Sequence, residues 1–188
     1  MSPAAADPRA ERTRAGLRAA LLAECAERPL DQVSVSAVVR RAGVGRATFY
    51  LHYQDLQALA VDACAEVVRA ANDALHAWRG IPDPAAPPSE LAEFFGEVRE
   101  QAGLHRSLLH PGGTGPLGEL LNLELRERSR TERARAGAPH PGVVAAAVAG
   151  AFTALLADWL HSPEPAAPPV VAGQVWRLLI SLHRTPFP

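Results

Sequence analysis

Lysine is missing altogether from the 188 residues, so all 19 basic side chains are arginine. With 17 prolines and abundant alanine, this points to a GC-rich coding genome, and no single arginine marks a site by itself. Aromatic residues are scarce, 5% against a hydrophobic content of 48%. Alanine, leucine and valine must then build the core, which favours closely packed helices over a sheet. Only two cysteines are present, Cys25 and Cys64. They lack metal spacing and read as reduced, buried thiols. The opening MSPAAADPRAERTR has no apolar run, so no signal peptide is expected. The most membrane-like stretch, Val143 to Leu160, contains Asp158 and lies between Pro141 and Pro163. It is slightly short of the roughly 20 residues of a span and reads as a buried bundle helix. The expected setting is cytoplasmic, with no membrane partner. No P-loop, dinucleotide fingerprint, zinc motif or nucleophile motif occurs. His105 and His110 are five apart, off the i, i+4 register that two ligands on one helix face need. No enzyme activity, cofactor or metal is therefore expected.

The net charge of −1 hides an asymmetry. Residues 1–52 hold Arg9, Arg12, Arg14, Arg18, Arg28, Arg40, Arg41 and Arg46 against Asp7, Glu11, Glu24, Glu27 and Asp31, a net of +3. The remainder carries 11 arginines and 15 carboxylates, a net of −4. A basic head on an acidic body suits a polyanion-binding unit joined to one that does not bind it.

The head contains SVSAVVRRAGVGRATFYLHYQDLQAL, Ser34 to Leu59. Ser34 is placed to N-cap a helix whose inner face is Val35, Val38, Val39 and Ala42. Gly43 ends that helix, Val44 plugs the corner and Gly45 opens a second helix, Arg46 to His52. Two short helices across a tight turn form a helix-turn-helix, whose second helix lies in the DNA major groove. Arg46 can reach bases or phosphates, and Thr48 is short enough to touch a base or a thymine methyl. Tyr50 and His52 can donate to phosphates, while Phe49 anchors the helix inward. The DNA-facing set is Ser34, Val44, Gly45, Arg46, Ala47, Thr48, Tyr50, His52 and Tyr53.

The run AGVGRATFYLHYQDLQAL resembles the signature of the TetR family of transcriptional repressors, in which AGV(S) precedes a recognition helix ending TFYxHF. The resemblance covers Thr13 to Leu59; beyond it, only length and helical layout agree. Three positions depart from the family pattern. Gly45 replaces the usual Ser, Val39 a usual small residue, and Leu56 a usual phosphate-contacting Lys. Asp55 is still placed to N-cap the next helix.

The expected fold is all-α with about nine helices: a three-helix helix-turn-helix domain over 1–52, with 1–10 a disordered arm, and a helical bundle over 53–188. Helix one runs Thr13 to Glu27, with Leu17, Leu21 and Cys25 inward. Helix four runs from Leu56 to Trp78 along the stripe Leu56, Leu59, Ala60, Ala63, Val67, Ala71, Leu75 and Trp78. Ser89 caps helix five, with Leu91, Phe94, Phe95 and Val98 on its face, and Gly103 interrupts before LHRSLLH. Helix seven starts at Pro116 on Leu117, Leu120, Leu121 and Leu125, and its second half, RERSRTERARA, reads as a solvated end. Helix eight, Val143 to His161, is apolar nearly all round and must be covered on every side. Helix nine is Val170 to His183.

Covering helices eight and nine calls for a homodimer through a four-helix bundle, with Val148, Ala151, Leu155, Val175, Leu178, Leu179 and Leu182 at the interface. The TetR resemblance implies the same arrangement. It also implies a palindromic double-stranded operator and an unidentified small-molecule effector among helices four to eight. Candidate lining residues are Trp78, Phe94, Phe95, Val98, His105, Leu108, Leu121, Asn122, Leu125, Phe152, Leu155 and Trp159, with His105 or Asn122 as polar anchors for a mostly apolar ligand.

Overall fold

The structure, a computed structural model, describes residues 8–77 and 82–184, and no strand occurs among them. The helices are α1 (Pro8–Glu27), α2 (Val35–Ala42), α3 (Arg46–His52), α4 (Leu56–Ala63), α5 (Ala65–Leu75), α6 (Ser89–Glu100), α7 (Ala102–Leu108), α8 (Gly115–Arg135), α9 (Pro141–His161) and α10 (Pro168–Arg184). The α4 and α5 segments are two arms of one rod, so nine helices stand among the described residues, as expected. The all-α class is likewise as expected.

In the first three helices the local chemistry works as read. Leu17, Leu21 and Cys25 are buried on α1. That helix begins at Pro8, so the last three residues of the expected arm are helical; proline fits a first helical turn, where its missing N–H loses nothing. The Ser34 hydroxyl accepts from the Ala37 amide at 3.2 Å and caps α2. Gly43 closes α2 at φ 68°, a left-handed conformation that a Cβ would strain. Phe49 is fully buried under α3.

The rod is tightened at its middle. The Cys64 amide is shared between the carbonyls of Ala60 (3.1 Å) and Val61 (3.2 Å), which narrows one turn between the arms. Its expected stripe is inward at Leu59, Ala60, Ala63, Ala71 and Leu75 and half-buried at Leu56 and Val67. Trp78 lies outside the described residues.

Two expected boundaries shift. Ser89 is the first helical residue of α6, not its cap; Pro88 precedes it and the Ser89 hydroxyl donates to Glu90 at 3.2 Å. The break after α6 falls at Gln101, and Gly103 lies inside α7. Glycine permits a break without compelling one. Here the ring of His105 donates from Nδ1 to the Val98 carbonyl at 3.0 Å, serving an acceptor near the interrupted end of α6.

The charged half of α8 is exposed at Arg126, Glu127, Arg130, Glu132 and Arg135, as expected of a solvated end, but not along one row. Leu117, Leu121 and Leu125 are buried, and the same i, i+4 row continues to Ser129, only 4% exposed, and to half-buried Arg133. At the start of α8 a Cβ on Gly118 would come within 2.0 Å of the Gly113 carbonyl oxygen, so only glycine lets the preceding turn lie against the helix.

Helices α9 and α10 cover α8 and α6. Their inward faces include Val144, Val148, Ala149, Phe152 and Leu156, and Val171, Val175, Trp176, Leu179 and Ile180. Val148, Val175 and Leu179, expected at a dimer interface, therefore lie in the protomer's own core. Ala151, Leu155 and Leu182 are half-buried, and Leu178 is exposed. The outward faces run one register away, through Val143, Ala147, Ala151 and Ala154 on α9 and Val170, Gln174 and Leu178 on α10.

Candidate nucleic-acid interface and effector cavity

The second helix of the helix-turn-helix, α3, is held from beneath by aromatic packing. The Phe49 ring stands edge-on to Tyr50 at 5.2 Å and tilted to Tyr53 at 6.0 Å between centroids. With Phe49 sunk in the core, the opposite face is open: Arg46, Ala47 and Tyr50 are exposed, and Thr48 and His52 half-exposed. Ser34 and Gly45 are exposed at the entries of α2 and α3, and Val44 is half-buried at the corner. Tyr53 departs from the expected set. It is buried, and its hydroxyl donates to the Asp62 carboxylate, because the chain turns inward after α3 to begin α4.

Ion pairs fix this unit from behind. Arg41 of α2 donates to Glu24 at 2.7 Å and reaches Glu27, both on α1, and Arg28 lies 3.3 Å from Glu24. Arg18 donates to Glu11 at 2.7 Å and to Asp62 on α4 at 3.0 Å. Burial pushes Asp62 upward, but the hydrogen bonds from Tyr53 and Arg18 outweigh it and hold the carboxyl below its ordinary range. Burial and the bond to Asp62 raise Tyr53 to about 12, so it stays a donor. These arginines are committed to carboxylates. Among the described residues Arg40 and Arg46 have no carboxylate within 4.0 Å, and both are exposed. Arg40 was absent from the expected set; its place on the polar side of α2, beside inward Val38 and Val39, was the signal.

Cys25 and Cys64 are buried free thiols. Burial raises them to about 11 and about 12, so both are protonated at neutral pH.

A cavity of about 240 Å³ lies between α5, α8, α9 and α10. Leu75, Leu125, Val148, Trp176, Leu179 and Ile180 give it apolar walls, and Ser129, Glu132, Arg133, His76 and His183 line its polar side. Of the expected ligand residues that the structure describes, only Leu125 borders it. Phe94, Val98, His105 and Leu108 border a second cavity of about 280 Å³ between α1, the rod, α6 and α7. Phe95, Phe152 and Trp159 instead pack on one another, Phe95 edge-on to Trp159 at 5.0 Å, as closed core. Leu121 is buried core too, while Asn122 and Leu155 are half-buried and line neither cavity. His105 is not an available anchor, since its Nδ1 serves Val98 and burial holds the ring below its ordinary value.

The family model described as bacterial regulatory proteins, tetR family, matches residues 17–63. That span runs from the inward face of α1 to the end of α4 and includes the whole helix-turn-helix. Residues 17–63 are a TetR-family DNA-binding domain. That domain is the DNA-binding part of a family of transcriptional regulators that are not enzymes.

The fold agrees with solved structures along nearly the whole length of the chain. A TetR transcriptional regulator from Streptococcus agalactiae matches with a TM-score of 0.60 at 16% identity, covering 91% of this chain and 95% of that one. NalD, the secondary repressor of the MexAB-OprM multidrug efflux pump in Pseudomonas aeruginosa, matches at 0.57 and 19% identity over 92% and 96%. RolR in complex with resorcinol matches at 0.51 and 21% identity over 96% and 97%. No curated protein matches the sequence.

Two departures from the family pattern have visible counterparts. Gly45 leaves α3 without a side-chain cap. Leu56 is half-buried and packs against the core at the start of α4, where Asp55 accepts from the Ala58 amide at 2.8 Å.

Proposed function

We propose that the chain is a TetR-family regulator, a homodimeric repressor that releases a palindromic operator when a small molecule enters its C-terminal part. In this reading residues 1–52 bind DNA, and 53–188 bind the effector and pair the protomers. The observation that carries the DNA half is the open face of α3. Arg46 and Tyr50 stand out of a helix anchored by Phe49, with uncommitted Arg40 beside them on α2. Arg46 and Thr48 read base edges, with Ala47 in apolar contact. Tyr50, His52, Arg40 and the Ser34 hydroxyl meet phosphates, and Val44 and Gly45 bring the turn close to the backbone. Tyr53 does not belong to this set.

The outward apolar faces of α9 and α10 support pairing. Val143 and Val170 are half-exposed or more in the protomer, and a second copy would cover them by a four-helix bundle. A dimer presents two α3 helices, which suits half-sites one helical turn apart, about 34–36 Å. Effector control is supported by the cavity at the far end of the rod from α3. A ligand that shifts α5 against α8 moves α4, and α4 is bonded to the head through Asp62.

Retardation of DNA from the gene's own upstream region tests the reading. The expected result is a specific complex, with two chains per duplex, that a small molecule dissolves. Specific DNA binding that no small molecule reverses would favour the second reading, a regulator controlled by abundance or a protein partner.

A further inference from the structure

The polar wall of the α5–α8–α9–α10 cavity has hydrogen-bonding capacity that the described residues do not use. Ser129 is 4% exposed, and among the described residues its Oγ has no partner. One turn further along the same face of α8, the Nε of Arg133 is also buried without a partner. A buried donor left unmade is costly, and more so on a charged group. Arg133 does donate from its guanidinium to Nδ1 of His183 at 2.7 Å. Since arginine only donates, that nitrogen must be the unprotonated one. Burial and Arg133 itself both hold His183 below its ordinary value, so the ring is neutral and does not balance the charge.

The one carboxylate that lines the cavity among the described residues is already engaged. Glu132 lies 3.2 Å from Arg128 and 3.2 Å from His76. Among the described residues no carboxylate stands within 4.0 Å of Arg133. Arg133 therefore lines the cavity as a guanidinium without a carboxylate partner among the described residues, opposite walls of leucine, valine and tryptophan.

We infer that this cavity binds a compact organic anion, with its carboxylate against Arg133 and Ser129 and its apolar body against Leu125, Val148, Trp176 and Leu179. The inference rests on the effector reading above and gives that effector a chemical class. About 240 Å³ suits one or two rings or a short alkyl chain. A cation would face Arg133, and a neutral molecule would leave its charge unbalanced.

Calorimetric titration of the full chain with benzoate, naphthoate and octanoate, each beside its own amide, tests this. At least one acid is expected to bind about 10- to 100-fold more tightly than its amide, the usual worth of a charge-assisted pair. Arg133→Met, which keeps apolar length but no charge, should abolish that preference, Arg133→Lys should restore part of it, and Ser129→Ala should weaken the acid alone. Val148→Phe, which fills the cavity from its apolar side, should remove binding of every probe, so the test stands even where an Arg133 variant unfolds. If no acid is preferred to its amide, or the preference survives Arg133→Met or Val148→Phe, the inference is wrong. Operator release is read separately in the same samples. An acid that binds as described without releasing DNA upholds the anion site and sinks the effector reading.

Discussion

The hydroxyl of Tyr53 donates to the carboxylate of Asp62, joining the residue that closes the recognition helix to the helix that leads away from it. Arg18 of α1 holds the same carboxylate at 3.0 Å. Three elements thus meet on one side chain, and α4 is tied to α3 by a bond as well as by packing.

Tyr53→Phe removes that bond and keeps the buried ring. The half-exposed carboxylate retains Arg18 and water, so a loss of about 1 kcal/mol is expected in denaturant unfolding. Because the hydroxyl faces Asp62, random-sequence DNA should be bound as tightly as by wild type. A uniform loss on all duplexes would return Tyr53 to the phosphate-contacting set.

Arg46→Ala should cost about 1–3 kcal/mol at one operator position and relax specificity there. Tyr50→Phe should weaken every sequence about equally, since a phosphate contact carries no base information. Binding measured on a panel of single-base operator variants separates them. Equal loss on specific and random DNA for Arg46→Ala would move that arginine to the backbone class.

Gly45 is at φ −83°, an extended conformation open to any residue, and a Cβ there meets nothing closer than the Thr48 hydroxyl at 4.0 Å. Gly45→Ser should therefore cap α3 without strain and raise stability by a few tenths of a kcal/mol. A lowered melting temperature would mean that the turn needs glycine for a reason other than space or φ.

Acid should destabilise the fold through its buried histidines. Burial holds His105, His76 and His183 below the ordinary value of 6.5. The unfolded chain then binds protons that the folded chain refuses. Their contribution is fully present above the unfolded pKa and is lost as pH falls through it towards the folded values. Melting temperature should drop between about pH 7 and pH 5, and His105→Asn, which keeps a donor for Val98 but does not titrate, should flatten part of that drop. An unchanged slope in the variant would remove His105 from the account.

Much of the head was legible because its signals are local. A serine cap, a left-handed glycine, an inward phenylalanine and a second cap at Asp55 each act within four residues. The cavity was not, because it depends on which faces meet. The row Leu117, Leu121, Leu125 continues at the same spacing through Ser129 and Arg133, yet polar identity made those two read as solvent-facing. Phe95, Phe152 and Trp159 read equally well as pocket or core; the packing of Trp159 edge-on and Phe152 tilted against Phe95 decides for core. On α9 and α10 the sequence shows apolar residues nearly all round, so it cannot say which face the protomer keeps. Val148, Val175 and Leu179 were kept, and Ala147, Val170 and Leu178 were left outside.

The central claim is that two copies of α3 read a palindrome. Selection of duplexes from a random pool by the purified protein tests it most directly, with the mass of the selected complex measured in solution. The account predicts an enriched inverted repeat with half-sites about one helical turn apart, two chains per duplex, and loss of enrichment at one base of each half-site for Arg46→Ala. Recovery of sequences without an inverted repeat, or of one chain per duplex, would contradict it.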